Sequence, residues 1–426
     1  MDRIRIRGGN RLKGEIPISG AKNSALKLMA AALLTDQPVV LRNMPRLADV
    51  EAMADLLMQF GVTLNIRRGA GVGQSDTMRL HAATIESAFA SYDLVRKMRA
   101  SFQVLGPLLA RHGEARISLP GGCAIGARPV DFHLKGFAAM GAKIDLVDGY
   151  VVASAKDGLH GTTFEFPFAS VGATENLMTG AVLAKGRTVL KNTAREPETQ
   201  DLGLCLIAMG AKISGLGTSE ITIDGVERLS GIDYSVMPDR IETGTYAIAT
   251  AIAGGEVELI GARAESNAAL YDLLRSIGTD VTETNRGIAV HRNGVRPVAV
   301  DITTDVFPAF PTDLQAQFMT LMAVSSGVSH IRETVFENRF MHVPELARMG
   351  ANIRVEGDVA TVTGVDKLKG APVMATDLRA SVSLVLAGLV AEGDTIVNRV
   401  YHLDRGFERL EEKLSAVGAD IERQSA

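Results

Sequence analysis

The hydrophobic and polar positions of this chain follow one pattern that recurs six times. In each copy an apolar, helix-like segment ends at a glycine, and alternating apolar and polar residues follow it. These glycines are Gly61, Gly141, Gly210, Gly278, Gly350 and Gly418. A glycine in this place is typical of a left-handed helix cap, and the alternation after it predicts a strand. Repetition at intervals of about 70 residues predicts stacked supersecondary units.

Each unit contains a second helix that is apolar on nearly all faces, which predicts a buried helix and not an amphipathic surface helix. These helices are predicted at residues 24–34, 100–110, 174–184, 245–253, 314–324 and 381–390. None has the roughly 20 apolar residues of a membrane span, so membrane insertion is not expected. The sequence therefore predicts an α/β protein with six β-α-β-α-β-β repeats, three in each of two domains.

The charge balance argues against a nucleic-acid partner, since 45 lysines and arginines stand against 49 aspartates and glutamates. The eight histidines lack metal-ligand spacing, and two cysteines exclude a disulfide framework, so no metal and no structural disulfide are expected. Cys205 lies in an apolar stretch and is expected in the core. The N-terminus alternates like a strand without an apolar signal region, and a cytoplasmic location is expected.

One loop, residues 119–130, combines a cysteine and an arginine with three glycines and two prolines. The glycines permit unusual backbone angles and the prolines fix the hinges, so Cys123 can be carried over a site and withdrawn. Arg128 would hold the thiol partly ionised or bind the anion that the thiol attacks. The loop is about four residues longer than its counterparts, which is typical of a functional insertion. The alternative is a surface turn with a bystander cysteine.

Charged and polar residues gather where the buried helices begin. They are Lys22 and Asn23, Arg99, Arg240, Asp313, and Asp377 with Arg379. Three more arginines, Arg128, Arg339 and Arg405, are predicted in the variable loops. Basic residues at the positive end of a helix dipole are unfavourable unless an anion compensates them, so the set predicts polyanionic ligands. Two alternatives remain open: each arginine pairs with a surface acid, and each aspartate caps its helix.

Seven segments resemble, in this order, the UDP-N-acetylglucosamine enolpyruvyl transferases, a branch of the enolpyruvyl transferase family. They are residues 19–25, 98–101, 120–131, 194–198, 238–245, 311–315 and 377–381. The resemblance covers essentially the whole chain. The cysteine loop separates this branch from its structural cousin, 5-enolpyruvylshikimate-3-phosphate synthase.

The resemblance implies an inside-out α/β barrel of two domains, with the active site in the cleft between them. One domain would comprise residues 21–237, and the other residues 1–20 plus 238–426. It implies transfer of the enolpyruvyl group of phosphoenolpyruvate to the 3′-hydroxyl of UDP-N-acetylglucosamine through a tetrahedral ketal, with release of phosphate. This is the first committed step of peptidoglycan synthesis, and it needs neither a metal nor a cofactor.

The resemblance also assigns roles to residues. Asp313 would be the base, Cys123 the acid that also forms a covalent phospholactoyl adduct, and Lys22 and Arg405 would complete the catalytic set. Phosphoenolpyruvate would contact Lys22, Asn23, Arg128, Arg339, Arg379 and Arg405. UDP-N-acetylglucosamine would contact Asn23, Arg99, Arg128, Pro129, Val130, Asp131, Phe132, Ser170, Val171, Gly172, Asp313 and Val335, and Asp377 would help to orient it.

One position departs from the family pattern. Phe168 stands where members of the family often carry lysine, which removes one expected contact to the diphosphate. Two other functions remain open at this point. One is an enolpyruvyl transferase with another acceptor, such as shikimate 3-phosphate, and the other is a silent sugar-nucleotide-binding protein.

Overall fold

The computed structural model describes residues 2–71, 73–120 and 130–425, so Cys123, Arg128 and Pro129 lie outside the described residues. The strands are β1 (Arg3–Arg7), β2 (Leu12–Pro17), β3 (Val39–Met44), β4 (Thr63–Arg67), β5 (Asp76–His81), β6 (Phe89–Ala90), β7 (Glu114–Ser118), β8 (Lys143–Val147), β9 (Tyr150–Ser154), β10 (Thr163–Glu165), β11 (Arg187–Lys191), β12 (Lys212–Ser214), β13 (Glu220–Asp224), β14 (Ile232–Ser235), β15 (Gly255–Ile260), β16 (Asp280–Glu283), β17 (Gly287–Arg292), β18 (Ile302–Thr303), β19 (Val328–Arg332), β20 (Asn352–Glu356), β21 (Val359–Thr363), β22 (Pro372–Met374), β23 (Asp394–Asn398) and β24 (Asp420–Gln424).

The α-helices are α1 (Lys22–Ala31), α2 (Ala48–Gln59), α3 (Tyr92–Val95), α4 (Leu105–Arg111), α5 (Asp131–Ala139), α6 (Val171–Ala181), α7 (Pro197–Ala208), α8 (Arg240–Ala253), α9 (Ala268–Ser276), α10 (Gln315–Ala323), α11 (Val343–Arg348), α12 (Ala380–Gly388) and α13 (Leu410–Ala416). Short 3₁₀ helices cover Ala32–Leu34, Arg99–Val104, Ala264–Asn267, Thr312–Leu314 and Val400–Arg405.

Within the described residues the strands form six four-stranded sheets, which confirms the predicted six repeats. The strand orders are β14-β3-β5-β4, β6-β7-β9-β8, β10-β11-β13-β12, β16-β17-β15-β2, β18-β19-β21-β20 and β22-β23-β1-β24. In each sheet one pair is parallel and the other two pairs are antiparallel, as the β-α-β-α-β-β unit requires. The six glycines that end the predicted helices all have positive φ, between 88° and 109°.

The helices lie inside and the sheets outside. Every residue of α10 and α12 is buried, and α10 packs against both α8 and α12. Strand β1 shows how a sheet covers them: Ile4 and Ile6 are buried, whereas the alternating Arg3 and Arg7 are exposed. This arrangement confirms the predicted α/β architecture. Within the described part of the chain, no helix combines the length and apolar character needed to cross a membrane.

Two strands are exchanged between sheets. β2 precedes α1 but pairs with β15, and β14 precedes α8 but pairs with β3. The two connections run side by side, because the Ala21 amide donates to the Met237 carbonyl (2.7 Å) and the Asp239 amide to the Ser19 carbonyl (2.9 Å). The chain therefore crosses twice, at the same place, between its two halves.

The buried apolar residues form two clusters. One lies between Ala25 and Val236, and the other combines residues 4–18 with residues 241–421. We propose that these clusters are the cores of two domains with the predicted boundaries, 21–237 and 1–20 plus 238–426.

Candidate active site

The carboxylate of Asp313 lies between two buried arginines. Asp313 belongs to the 3₁₀ turn that precedes α10. Its Oδ1 lies 2.8 Å from Arg339 Nη2, and its Oδ2 lies 3.2 Å from Arg379 Nε. The Nη1 atoms of both arginines are buried, and neither has a hydrogen-bond partner in the described part of the chain. A buried guanidinium with an unused donor is costly, so these two atoms are suited to an anionic ligand.

The two arginines also set the ionisation of Asp313. Burial by itself would raise the pKa of this carboxyl, but the charges of Arg339 and Arg379, with a smaller effect from Lys22, outweigh burial and hold the pKa far below its usual range. Asp313 is therefore ionised when no ligand is bound.

A second ion cluster joins Lys22, Asp49 and Arg405. The Lys22 Nζ lies 3.4 Å from Asp49 Oδ2, and the Arg405 Nε lies 2.8 Å from Asp49 Oδ1. Burial lowers the pKa of Lys22 to about 8, although the Asp49 charge opposes that shift. The charges of Arg379 and Asp313 also act on Lys22. The two ion clusters thus form one continuous charged site, and Asn23 follows Lys22 in the same first turn of α1.

Asp49 was not among the site residues predicted from the sequence. It stands in the first turn of α2, where an acidic residue ordinarily complements the helix dipole. Nothing in the sequence shows that its carboxylate faces two cations.

Asp239 was also missed. Its Oδ1 accepts a hydrogen bond from the Ile241 amide at the start of α8, and its Oδ2 accepts one from the Lys22 amide at the start of α1. One carboxylate therefore fixes the beginnings of two helices from the two halves of the chain, and with them the position of Lys22.

The alternative of simple helix capping holds for Asp377 but not for Asp313. Asp377 Oδ1 accepts hydrogen bonds from the amides of Arg379 (2.7 Å) and Ala380 (2.9 Å) at the start of α12. This cap places Arg379 where its side chain meets Asp313. The Asp313 carboxylate, in contrast, accepts from arginine side chains.

The alternative that each arginine pairs with an acidic side chain at the surface is correct in part. Arg240 pairs with Glu198 at 2.9 Å, and Arg339, Arg379 and Arg405 each pair with an aspartate. The pairs are not surface pairs, since the Arg240 and Glu198 side chains are only 10% and 4% exposed. Such pairs hold the basic side chains in fixed positions.

Of the ten described residues predicted to contact the sugar nucleotide, six lie at two helix N-termini. Val171 and Gly172 open α6, and the Ser170 hydroxyl caps it by accepting from the Ala173 amide. Asp131 and Phe132 open α5, with Val130 before them. Helix N-termini attract phosphates because their free amides and dipoles point at the ligand.

Side chains around α6 keep the start of that helix in place. The Gln103 Nε2 donates to the Gly172 carbonyl at 3.0 Å, and a side chain at Gly172 would come within 3.2 Å of the same nitrogen. Nearby His133 is held neutral, because burial, and to a lesser extent the charge of Arg99, lowers its pKa to about 3. Arg99 itself begins the 3₁₀ helix Arg99–Val104.

The structure also shows the contacts of Phe168 and Val335, two further positions singled out from the sequence. Phe168 is 61% exposed and meets the ring of Phe132 edge-on, with ring centroids 4.8 Å apart. The Val335 amide donates to Glu333 Oε1 in the loop that leads to Arg339.

Among the described residues, no group of three or more histidine, cysteine or acidic side chains is arranged to hold a metal ion.

Comparison with known proteins gives the family. Residues 6–414 match the EPSP synthase (3-phosphoshikimate 1-carboxyvinyltransferase) family. The chain is 61% identical to UDP-N-acetylglucosamine 1-carboxyvinyltransferase of Chelativorans sp. (strain BNC1), over 100% of both chains. It is 62% identical to the enzyme of that name from Maricaulis maris (strain MCS10), over 99% of both.

Solved structures agree with this result. The enolpyruvyl transferase NikO from Streptomyces tendae superposes with a TM-score of 0.88 at 27% identity, covering 100% of this chain and 99% of that one. EPSP synthase from Acinetobacter baumannii, at 17% identity and a TM-score of 0.75 over 100% of both chains, shares the fold. The chain therefore belongs to the enolpyruvyl transferase family, in the group of the UDP-N-acetylglucosamine 1-carboxyvinyltransferases.

Proposed function

We propose that this protein transfers the enolpyruvyl group of phosphoenolpyruvate to the 3′-hydroxyl of UDP-N-acetylglucosamine and releases phosphate. The observation that carries the proposal is the Asp313 carboxylate held between Arg339 and Arg379, each with an unused Nη1 donor. The relatives at 61–62% identity bear the name of this activity, which favours it over transfer to shikimate 3-phosphate.

Phosphoenolpyruvate carries a phosphate and a carboxylate, and the site offers two groups of cations. Lys22 and Arg405 would bind the phosphate together with Arg128, which lies outside the described residues. Arg339 and Arg379 would bind the carboxylate through their unused donors. Fixing both ends of the substrate aligns its C2 carbon for attack and stabilises charge that develops there.

Asp313 would then act as the base. It takes the proton of the 3′-hydroxyl as that oxygen bonds to C2 of phosphoenolpyruvate, and Cys123 gives a proton to the C3 methylene. The product is a tetrahedral ketal that still carries the phosphate. Loss of a C3 proton then restores the double bond while the C2–O bond to phosphate breaks.

The diphosphate of the sugar nucleotide would lie at the N-termini of α5 and α6, near Ser170 and Gly172. With this acceptor the reaction begins peptidoglycan synthesis, for which we propose a cytoplasmic location.

A phosphate-release assay tests the proposal. Phosphate should appear only when phosphoenolpyruvate and UDP-N-acetylglucosamine are both present. Release with shikimate 3-phosphate in place of the sugar nucleotide would indicate the other acceptor. Binding of UDP-N-acetylglucosamine without any phosphate release would indicate a silent binding protein.

A further inference from the structure

Asp49 occupies an unusual position, because its buried carboxylate faces two cations from distant parts of the chain. Its side chain is 6% exposed, and its two oxygens are divided between Lys22 of α1 and Arg405 of the 3₁₀ helix Val400–Arg405. Asp49 and Arg405 are 356 residues apart, so this contact joins the two halves of the molecule. Arg405 also contacts Lys97, because its Nη2 donates a hydrogen bond to the Lys97 carbonyl oxygen at 3.5 Å.

We propose that Asp49 is a positioning residue that holds the Lys22 ammonium and the Arg405 guanidinium together as one binding site for the phosphate of phosphoenolpyruvate. This inference rests on the proposed function, which assigns the phosphate to Lys22 and Arg405.

The hydrogen-bonding capacity of the two cations supports this role. An ammonium has three donors and a guanidinium has five, and Asp49 occupies one direction of each. Arg405 remains 35% exposed, so a phosphate can reach its guanidinium without displacing Asp49, whereas the Lys22 side chain behind it is only 8% exposed. Without a carboxylate between them, two neighbouring cations repel each other and separate.

Charge supports the same role. The groups that act on Lys22 are Asp49, Arg379, Asp313 and Arg405. Burial lowers the pKa of Lys22 to about 8, Asp49 provides the largest opposing effect, and Asp313 adds a smaller one. Removing the Asp49 charge should therefore lower the pKa further, so that Lys22 is largely neutral at physiological pH and binds phosphate weakly.

Asp49→Asn keeps the shape of the side chain and removes its charge. We expect the ratio of the KM for phosphoenolpyruvate in Asp49→Asn to that in the unaltered enzyme to increase roughly tenfold as the pH rises from about 6 to about 8.5. A decrease of about one unit in the pKa of Lys22 would change the charged-to-neutral ratio of its amine tenfold. The KM for UDP-N-acetylglucosamine should change little at either pH. A loss that is independent of pH, or equal for both substrates, would show that Asp49 is merely structural.

Two variants serve as controls. Asp49→Glu restores the carboxylate and should return the pH dependence toward that of the unaltered enzyme. Asp55→Asn makes the same chemical change on the exposed side of α2 and should leave both KM values unchanged. If Asp49→Glu behaves like Asp49→Asn, the charge is not what matters and the inference is wrong.

A direct titration separates this inference from the proposed function. NMR of the Lys22 side chain in the ligand-free protein should show a lower pKa in Asp49→Asn than in the unaltered protein. An unaltered protein without turnover would overturn the proposed function and, with it, the role of Asp49 in phosphate binding. Turnover with an unchanged Lys22 titration in Asp49→Asn would overturn only the role of Asp49.

Discussion

Arg339 Nη2 lies 2.8 Å from Asp313 Oδ1, and this contact makes the proposed base a weak one until substrate binds. Arg339 and Arg379 together hold the pKa of Asp313 far below its usual range. The same arginines are the proposed ligands of the phosphoenolpyruvate carboxylate. A substrate carboxylate that shares their charge should raise the pKa of Asp313, so its basicity would increase when phosphoenolpyruvate is bound.

Removing the Asp313 carboxylate should impair chemistry more than binding. Asp313→Ala is expected to lower kcat by roughly 100-fold or more, because a base acts while the hydroxyl attacks. Steady-state kinetics with both substrates measure this effect. Near-normal kcat with a raised KM would instead make Asp313 a residue that positions the sugar.

Removing one arginine should make Asp313 more basic. In Arg339→Gln the carboxylate loses its shortest ion pair, and with less positive charge nearby its pKa should rise toward the usual range for aspartate. Carboxyl-carbon NMR of the ligand-free protein measures the pKa, with Asp313→Asn identifying the signal. Arg339→Lys keeps the charge and should show a smaller rise. Equal pKa values in Arg339→Gln and the unaltered protein would contradict the ion-pair explanation.

The sequence predicted local features well because local sequence encodes them. Gly141 and Gly350 end helices through positive φ, a conformation that glycine adopts without cost, and both were identifiable from the pattern. Strand alternation likewise predicted β1, where Ile4 and Ile6 are buried. The exchange of β2 and β14 was not predictable from such patterns, since alternation identifies a strand but not its partner.

The candidate site shows the same limit. Lys22 and Arg379 were identified because basic residues at the starts of apolar helices are unusual, and Asp313 was identified because it belongs to the same set of helix starts. Asp49 and Glu198 were not, because an acid in a first helical turn is ordinary. Their roles depend on partners that only the tertiary structure brings near.

Phe168 offers a test of the sugar-nucleotide subsite. Its ring is exposed beside Phe132, at the position where the family resemblance led us to expect a lysine. Phe168→Lys should lower the Kd for UDP-N-acetylglucosamine about threefold, or ~0.7 kcal/mol, as an exposed ion pair would. The gain should diminish at high salt. Leu146→Lys, which changes a side chain of similar exposure on β8, is the control, and an equal gain there would indicate a non-specific charge effect.

The division of the proposed ligands between the two halves predicts closure. Lys22 and Arg99 come from one half, and Asp313, Arg339 and Arg379 from the other. The Asp49–Arg405 pair already joins the two halves in this structure, and a sugar nucleotide that contacts both halves should shift the population further toward this closed form. Small-angle scattering should show a smaller radius of gyration at saturating UDP-N-acetylglucosamine. An unchanged scattering curve would count against closure.

The last prediction concerns Cys123, which lies outside the described residues, so its role is inferred from the sequence alone. If its thiol is partly ionised beside the phosphate site, the phosphonate epoxide fosfomycin should bind the arginines and alkylate the sulfur. Inactivation should be time-dependent and irreversible. Cys205 should not react, because it is fully buried and burial raises the pKa of its thiol to about 12.

Two variants separate the acid and nucleophile roles of Cys123. Cys123→Asp keeps a proton donor of similar reach without a soft nucleophile, so it should retain turnover and lose sensitivity to fosfomycin. Cys123→Ala should lose product formation. Mass spectrometry of the inactivated protein locates the adduct, and Cys205→Ala should be labelled like the unaltered protein. An adduct on Cys205, or inactivation of Cys123→Asp at an unchanged rate, would refute the proposal that Cys123 in the loop 119–130 is the reactive thiol.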